Sequence, residues 1–336
     1  MCVFDCALLA GLLACVAPAI ANDSMSELGT GGLTFVKSYD VTMAREDLFI
    51  SQEEVRVDYT FHNGSDKDVR GMVAFPMPDI EGGIDANIAL NDTDDANFLE
   101  FSVTQDGKPI EASLQQRAYV AGIDMTEELQ SKGVPLLPFA DATFKALQAM
   151  PKETQEDWLA KGLIVPDEYD NDGTGMKVHL TPSWTLKTVY WWNTTFPAGT
   201  DVHVSHRYRP SVGGTVQVAY LHYDGTRSEE FRRYQDKYCL DDTFEKIGRK
   251  SLADMNAGKP FYTEQWLSYI LTTGANWNGP IGTFHLTIDK GAPENYVSFC
   301  GDGVKKTGPT TFEMTKQDFY PERNLDVLFL VRSAQP

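Results

Sequence analysis

The stretch Val55-Arg56-Val57-Asp58-Tyr59-Thr60-Phe61-His62 decides the fold class of this chain. Apolar residues at its odd positions alternate with charged or polar residues at its even positions. Because successive side chains of a β-strand point to opposite faces, this pattern predicts a half-buried strand. Residues 63–66 read Asn-Gly-Ser-Asp, which is turn chemistry, and we expect residues 69–75 to form a strand that returns beside the first.

The same pattern recurs on both sides of this pair. Residues 98–104 and 110–114 predict a hairpin, because Asp106-Gly107 between them suits a type I′ turn. Further short strands are predicted through 177–223 and again through 266–331. Many short strands between turn signals are typical of sandwiches or open barrels, and helices do not alternate with them regularly enough for a doubly wound parallel sheet.

Two segments have helical spacing instead. Residues 122–175 predict a helical insertion between β elements, and residues 227–255 predict a second helical region. We therefore expect a mainly β (α+β) fold with a β-sandwich-like core, this insertion, and a smaller C-terminal β region. The predicted division places the sandwich in 22–222, and a helix with the C-terminal β region in 223–336.

The first 21 residues resemble an export signal. A short apolar core ends in Ala19-Ile20-Ala21, a small-x-small cleavage site, and the core is too short to span a bilayer. We therefore expect cleavage after Ala21 and a periplasmic or secreted protein. The alternative is a lipoprotein attached through Cys15, since Leu12-Leu13-Ala14-Cys15 resembles a lipobox.

Cysteine usage fits an oxidising compartment. Removal of the signal leaves Cys239 and Cys300, an even pair that favours a disulfide. The alternative is two buried free thiols. Neither cysteine belongs to a CxxC motif or to a set of zinc ligands, so we predict no redox or zinc site.

The net charge of the chain excludes one class of binding partner. The formal net charge is −19, and such a surface repels nucleic acids, which we exclude as main partners. The mature sequence has no apolar stretch long enough to span a membrane. A protein partner or self-association therefore stays open.

Calcium is the one metal that the sequence suggests. Glu168, Asp170 and Asp172 occupy alternate positions before Gly173, as acids do at the start of an EF-hand loop. The position where such a loop carries its bidentate glutamate is His179 in this chain. The alternative is an ordinary turn rich in Asp and Asn, and no other cofactor is predicted.

An aromatic run suggests a contact surface. Rings that could stack on sugars lie close together in sequence, at Trp184, Tyr190, Trp191 and Trp192. On a strand, Trp191 and Trp192 face opposite ways, so one is expected in the core and the other at a surface. The alternative is that the whole run packs internally.

Several segments resemble a known family. They are Asn22 to Leu33, Ser51 to Val57, Val73 to Asp79, Phe196 to Gly199 with Tyr208-Arg209-Pro210, and Trp277 to Ile281. Together they are similar to the domain-of-unknown-function family 4424, a group of exported bacterial proteins. The resemblance implies export and a β-rich fold, and it implies no reaction or catalytic residues.

The functional expectation is correspondingly broad. The sequence has no nucleophile elbow, zinc-protease helix or phosphate loop, so no enzyme class is predicted. We expect an exported, non-enzymatic protein that binds a ligand or assembles with itself. The alternatives are an exported hydrolase with an unrecognised pair of carboxylates, or a calcium- or glycan-binding module.

Overall fold

The computed structural model describes residues 22–29, 32–90, 93, 95–170 and 173–333. Within them the strands are β1 Ser24–Gly29, β2 Gly32–Phe35, β3 Val41–Ile50, β4 Val55–Asn63, β5 Val69–Pro76, β6 Ile80–Glu81, β7 Ile88–Ala89, β8 Ser102–Gln105, β9 Lys108–Ile110, β10 Ser113–Val120, β11 Ile123–Asp124, β12 Ile164–Tyr169, β13 Lys177–Pro182, β14 Thr185–Phe196, β15 Asp201–Tyr208, β16 Val212–Thr215, β17 Tyr262–Tyr269, β18 Ile281–Asp289, β19 Tyr296–Phe299, β20 Lys305–Lys306, β21 Thr311–Phe319 and β22 Leu325–Arg332. The α-helices are α1 Thr126–Ser131, α2 Asp141–Ala149, α3 Lys152–Ala160, α4 Phe231–Tyr238 and α5 Asp242–Asn256, and a 3₁₀ helix covers Thr272–Asn276. The mainly β (α+β) prediction is confirmed.

Three large sheets organise these strands. The first has the order β11-β10-β14-β5-β1-β2, with β6 also paired to β14. The second has the order β20-β21-β18-β3-β4-β15-β8-β9, and the third β19-β22-β17-β16-β7. Strands β12 and β13 form a separate two-stranded sheet. Among the paired strands of the described ranges, β3 and β18 run parallel and the other pairs are antiparallel.

The predicted pairing of residues 55–62 with 69–75 is wrong. Both segments are strands, but β4 pairs with β3 and β15 in the second sheet, whereas β5 pairs with β1 and β14 in the first. The connection between them crosses from one sheet to the other. Asn63 holds the crossing, because its amide donates to the carbonyl oxygens of Lys67 and Phe196 at 2.8 Å each. Corners of this kind let one chain supply both layers of a sandwich.

The predicted hairpin around Asp106-Gly107 is confirmed. Strands β8 and β9 pair antiparallel across this turn. Asp106 has a φ of 49° and Gly107 a φ of 74°. A type I′ turn needs positive φ at both central positions, and Asp followed by Gly tolerates that best.

The first and second sheets enclose the main hydrophobic core, and strands of the third sheet extend it. Aromatic rings meet across the two layers: the ring centroids of Phe61 and Phe196 lie 5.7 Å apart, and those of Phe75 and His206 lie 4.8 Å apart. Aromatic pairs at such separations bury large apolar areas and hold the layers in one relative position.

Two smaller cores support the helices. The insertion packs around the fully buried Trp158 and Trp184. Helices α4 and α5 pack on Tyr262, Leu328 and Leu330 of the third sheet. The sequence predicted one helical region over 227–255, whereas α4 ends at Tyr238. Cys239 follows it with a φ of 55°, in the left-handed region, and so separates α4 from α5.

A disulfide joins Cys239 to Cys300, as the cysteine pair predicted. It ties the residue between α4 and α5 to the residue that follows β19. On the far side of the bridge, Asp241 begins α5, because its carboxylate accepts hydrogen bonds from the backbone amides of Thr243 and Phe244.

The division of the chain between residues 222 and 223 stays a prediction. The pairing of strands crosses this boundary. Strands β18, β20 and β21, which follow residue 223, lie in the second sheet with β3 and β4. As for membranes, none of the helices in the described ranges is long and apolar enough to cross one.

We predict that the disulfide carries a substantial share of the stability. Replacing both cysteines, C239S with C300S, should lower the free energy of unfolding by about 4 kcal/mol, because the unfolded chain regains the entropy that the closed loop removes. Urea denaturation with and without a reductant measures this. The reductant should destabilise the wild-type chain and leave the double variant unchanged, and equal midpoints in all four samples would contradict the prediction.

Candidate functional site

A cleft opens between the loop that follows β6 and helix α4. Its larger part has a volume of about 540 Å³ and is lined by residues 81–88, which run from the end of β6 to the start of β7, by α4 and by Trp266. A smaller part of about 290 Å³ continues toward β17 and Asp326. The two parts form one cleft, since they share the side chains of Glu81, Ile88, Lys237 and Trp266.

Glycine fixes the loop wall of the cleft. A Cβ at Gly82 would lie 2.8 Å from the carbonyl oxygens of both Pro182 and Trp184, and real Cβ atoms do not approach so closely. The Gly82 amide also donates to the Trp184 oxygen at 3.0 Å. The loop is therefore held against the connection between β13 and β14, and its residues Ile84 and Asp85 line the cleft.

Trp266 forms an aromatic wall of the cleft, and a second glycine makes room for it. Gly213 of β16 lies opposite Trp266 of β17 and next to Ile88 of β7. A Cβ at Gly213 would lie 2.2 Å from the Trp266 indole nitrogen. Only a residue without a side chain lets the indole ring lie this close to the neighbouring strand.

Helix α4 supplies the other wall. Arg233, Tyr234, Lys237 and Tyr238 recur at the spacing of one helical face, and all four line the cleft. The Lys237 ammonium lies 3.6 Å from an Asp326 carboxylate oxygen, and Arg233 pairs with Glu230 on its own helix. The cleft therefore carries both signs of charge next to aromatic rings.

The buried carboxyl group of Glu264 holds the α4 wall of the cleft in place. Glu264 accepts hydrogen bonds from the Tyr234 hydroxyl and the Ala219 amide at 2.7 Å each, and from the Thr215 hydroxyl at 3.1 Å. It is 1 % exposed, and burial raises the pKa of Glu264 to about 7 although these donors oppose the shift. Through Tyr234 it fixes one side of α4 to the third sheet.

A second group of polar side chains lies inside the main core. This buried polar cluster consists of Asn22, Asp23, Glu46, Tyr59, His206 and Tyr269, all at most 2 % exposed. The Asn22 amide donates to Glu46 at 3.0 Å, and the Tyr59 hydroxyl donates to the Asn22 side-chain oxygen. The hydroxyls of Tyr59 and Tyr269 lie 2.9 Å apart, and Tyr269 also contacts Glu46 at 3.4 Å.

A β-bulge turns Glu46 into the core. Val41 and Met43 point inward, and a strict two-residue period would next bury Arg45. The register between β3 and β4 shifts between Met43 and Arg45, so Glu46 takes the inward position instead. Burial among neutral partners raises the pKa of Glu46 to about 8.

Asp23 and His206 form the other half of the cluster. One Asp23 carboxylate oxygen lies 2.9 Å from the His206 Nε2 atom, and the Trp277 indole donates to the Asp23 backbone oxygen at 2.7 Å. The second Asp23 carboxylate oxygen and the His206 Nδ1 atom have no hydrogen-bond partner among the described residues. Burial raises the pKa of Asp23, and the neighbouring imidazole opposes that shift.

These carboxyl groups do not form an open hydrolytic site. A hydrolase would need two carboxyl groups that a substrate can reach, whereas Asp23 and Glu46 are both fully buried. In this conformation the cleft is open at the surface, whereas the buried polar cluster is closed to solvent.

Of the predicted calcium ligands, Glu168 lies on the two-stranded sheet. Glu168 is in β12, and Asp170 follows its end. The Asp170 carboxylate accepts hydrogen bonds from the backbone amides of Gly173 and Gly175, at 2.7 and 3.2 Å. Asp172 lies outside the described residues, and within them no group of three or more His, Cys, Asp or Glu side chains could hold a metal ion.

The aromatic run is mostly internal. Trp184, Tyr190 and Trp192 are at most 3 % exposed, and the Trp184 indole donates to the Leu136 carbonyl oxygen at 2.7 Å. Trp191 lies on the opposite face of β14 from Trp192 and is half-buried. The glycan prediction therefore depends on Trp191.

Sequence reasoning missed the residues of the cleft and of the buried polar cluster. A signal for His206 existed, because it continues the inward positions of Val202 and Val204 along β15. Glu46 likewise lies in phase with Leu48 and Ile50 when β3 is followed backward from its end. The cleft had no such signal, since its walls come from segments far apart in the sequence.

We predict that Glu264 makes stability fall as pH rises. The pKa of its carboxyl is about 7 when folded and 4.5 in the unfolded reference, so between these values the folded state binds more protons. The contribution of Glu264 to the free energy of unfolding is complete below pH 4.5 and is lost as the pH rises to 7. The loss is on the order of 3 kcal/mol. Urea denaturation of wild type and E264Q from pH 4.5 to 8 should give diverging curves, whereas parallel curves would contradict this origin.

Comparison with known proteins gives one family. The model of the family described as a domain of unknown function, DUF4424, matches residues 21–328. No curated protein matches the chain. Among solved structures, a proposed nutrient-binding protein from Legionella pneumophila subsp. pneumophila strain Philadelphia 1 is similar at 16% identity and a TM-score of 0.46, covering 92% of this chain and 70% of that one. The chain belongs to the DUF4424 family.

Proposed function

We propose that the protein is an exported binding protein that holds a small amino-acid-like zwitterion in the cleft. The observation that carries the proposal is the lining: cations on α4, carboxylates on the opposite loop, and an indole ring between them. Ligand sites typically have volumes of about 300–1,000 Å³ and combine apolar walls with a few placed polar groups. The volume of about 540 Å³ falls within that range.

The α4 wall suits the carboxylate of such a ligand. Arg233 and Lys237 lie one helical turn apart and both face the cleft. A guanidinium binds a carboxylate through two parallel hydrogen bonds, and an ammonium adds a point charge. The carboxylate of a ligand would compete with Glu230 for Arg233 and with Asp326 for Lys237.

The loop wall suits the ammonium group and the side chain of the ligand. Glu81 and Asp85 supply carboxylates on the side opposite α4. Trp266 and Ile88 supply the apolar surface between the two charged sides. An indole ring accommodates both apolar groups and cations, so it restricts the ligand less than the charged groups do.

Isothermal titration calorimetry of the chain beginning at Asn22, against the common amino acids and simple dipeptides, tests this proposal. Replacement R233M should weaken the best ligand at least roughly 10-fold, because the carboxylate loses a charged partner. Its matched control is R232M, which changes an exposed arginine of the same helix that lies outside the lining. Equal losses in the two variants, or no binding to the wild type, would exclude the cleft as this site.

Export is the second part of the proposal. The support is the short apolar core that ends at Ala21, and we propose cleavage there with release into the periplasm or the medium. Binding of a protein partner, or self-association, also stays a prediction.

Calcium binding also stays a proposal, at Glu168, Asp170 and Asp172. A millimolar calcium addition should raise the thermal midpoint if the folded chain binds the ion, since a ligand selective for the folded state stabilises it. The variant D170N should lose the rise, and magnesium at equal concentration controls for ionic strength. An unchanged midpoint in the wild type would exclude the site.

A further inference from the structure

The buried polar cluster begins at the residue that follows the proposed cleavage point. Asn22 is fully buried, and its α-nitrogen donates to the buried hydroxyl of Thr273 in the 3₁₀ helix. Its side chain donates to Glu46 and accepts from Tyr59. The backbone nitrogen that cleavage after Ala21 would convert into a free amine therefore lies within the core.

The cluster has more acidic than basic groups. Its titratable members are Asp23, Glu46, Tyr59, Tyr269 and His206. The charge of Asp47 acts on the cluster from nearby, and the Tyr208 phenol is a further titratable neighbour. His206 is directed at Asp23. The hydrogen-bond partners of Glu46 are a neutral amide and a neutral phenol. The second carboxylate oxygen of Asp23 is buried without a partner among the described residues.

We infer that cleavage after Ala21 frees the α-amino group of Asn22 as a buried ammonium, which serves as the counter-ion of Glu46 and Asp23. Water adds across the Ala21–Asn22 peptide bond in the reaction of the processing peptidase. The leader leaves with a carboxylate, and the Asn22 amine takes up a proton. One neutral amide donor thereby becomes a cation with several N–H donors.

The exchange alters the charge state of the core. Before cleavage, burial keeps Glu46 protonated near neutral pH, because its pKa is about 8. An ammonium within about 4–6 Å favours the ionised carboxylate and lowers that pKa. The added N–H donors can satisfy the second Asp23 carboxylate oxygen, and a buried acceptor without a partner is costly, so the processed chain should be more stable than the chain that retains Ala21. Removal of the leader would thus consolidate the folded state.

The test compares two chains that differ only at the N-terminus: one begins at Asn22 and the other at Ala21. Each chain is prepared with the wild-type Glu46 and as the E46Q variant. Near pH 7 the chain with the free Asn22 amine should melt roughly 5 °C higher. The gap should shrink in E46Q, because glutamine carries no charge for the ammonium to pair with and only Asp23 remains as the counter-ion.

A gap of equal size in E46Q would show that the extra residue acts through its bulk, and no gap in either background would show that the amine lies in solvent; either result overturns the inference. Carbon-13 NMR titration of Glu46 in the wild-type background stays informative even if E46Q fails to fold. The pKa of Glu46 should be lower in the chain that begins at Asn22 than in the chain that begins at Ala21, where it should be about 8.

The inference rests on the proposed cleavage and is separable from the proposed ligand. Sequencing the N-terminus of the exported protein shows directly whether Asn22 is first, and a different first residue would overturn the inference. Ligand affinity at the cleft should be equal in the two chains, since the cleft residues are not part of the buried polar cluster.

Discussion

The burial of one carboxyl group, that of Glu46, constrains the centre of this structure. A carboxyl without solvent must have hydrogen-bond partners, and they come from separate parts of the chain: Asn22 before β1 and Tyr269 at the end of β17. Tyr59 joins the two through its hydroxyl. The N-terminal segment, the second sheet and the third sheet must therefore adopt one mutual arrangement for the core to close.

Glu264, on β17 of the third sheet, is a second buried carboxyl whose hydrogen-bond partners come from separate segments. Like Glu46 it lies on an inward strand position, and it gathers neutral donors from the loop after β16 and from α4. The two carboxyls differ in their surroundings. Glu46 lies among aromatic rings between sheets, whereas Glu264 supports the helix that forms one wall of the cleft. The polar groups of the interior thus determine where the helix, and with it the cleft, can be.

Local patterns in the sequence were enough to predict the β-rich class, the turn at Asp106-Gly107 and the joining of Cys239 to Cys300, because each depends on neighbouring residues or on a single cysteine pair. Sheet membership was not predictable in this way. Strands β4 and β5 look like a hairpin in sequence, yet the crossing at Asn63 sends them to different layers. The choice depends on partners such as Phe196, which lie far away in the chain.

Two further misses have physical causes of the same kind. Short strands were predicted through 177–223, but the last strand of that region, β16, ends at Thr215, and the Ala219 amide then donates to Glu264. The inward position of Glu46 depends on the bulge in β3, and a count of alternating residues that starts from Val41 and Met43 does not show it. The cleft was missed altogether, because it is a property of the assembled sheets and of no single segment.

The parallel pairing of β3 with β18 determines when the second sheet can form during folding. Thr283 to Ile288 lie beside Arg45 to Ile50, and the second sheet is incomplete until this late segment arrives. Contacts so far apart in sequence form slowly and only after the intervening chain exists. A polypeptide that leaves the ribosome one residue at a time therefore cannot complete this sheet until nearly all of it has been made. The pairing of an early strand with a late one makes closure of the second sheet a late event, whatever the rest of the chain has already formed.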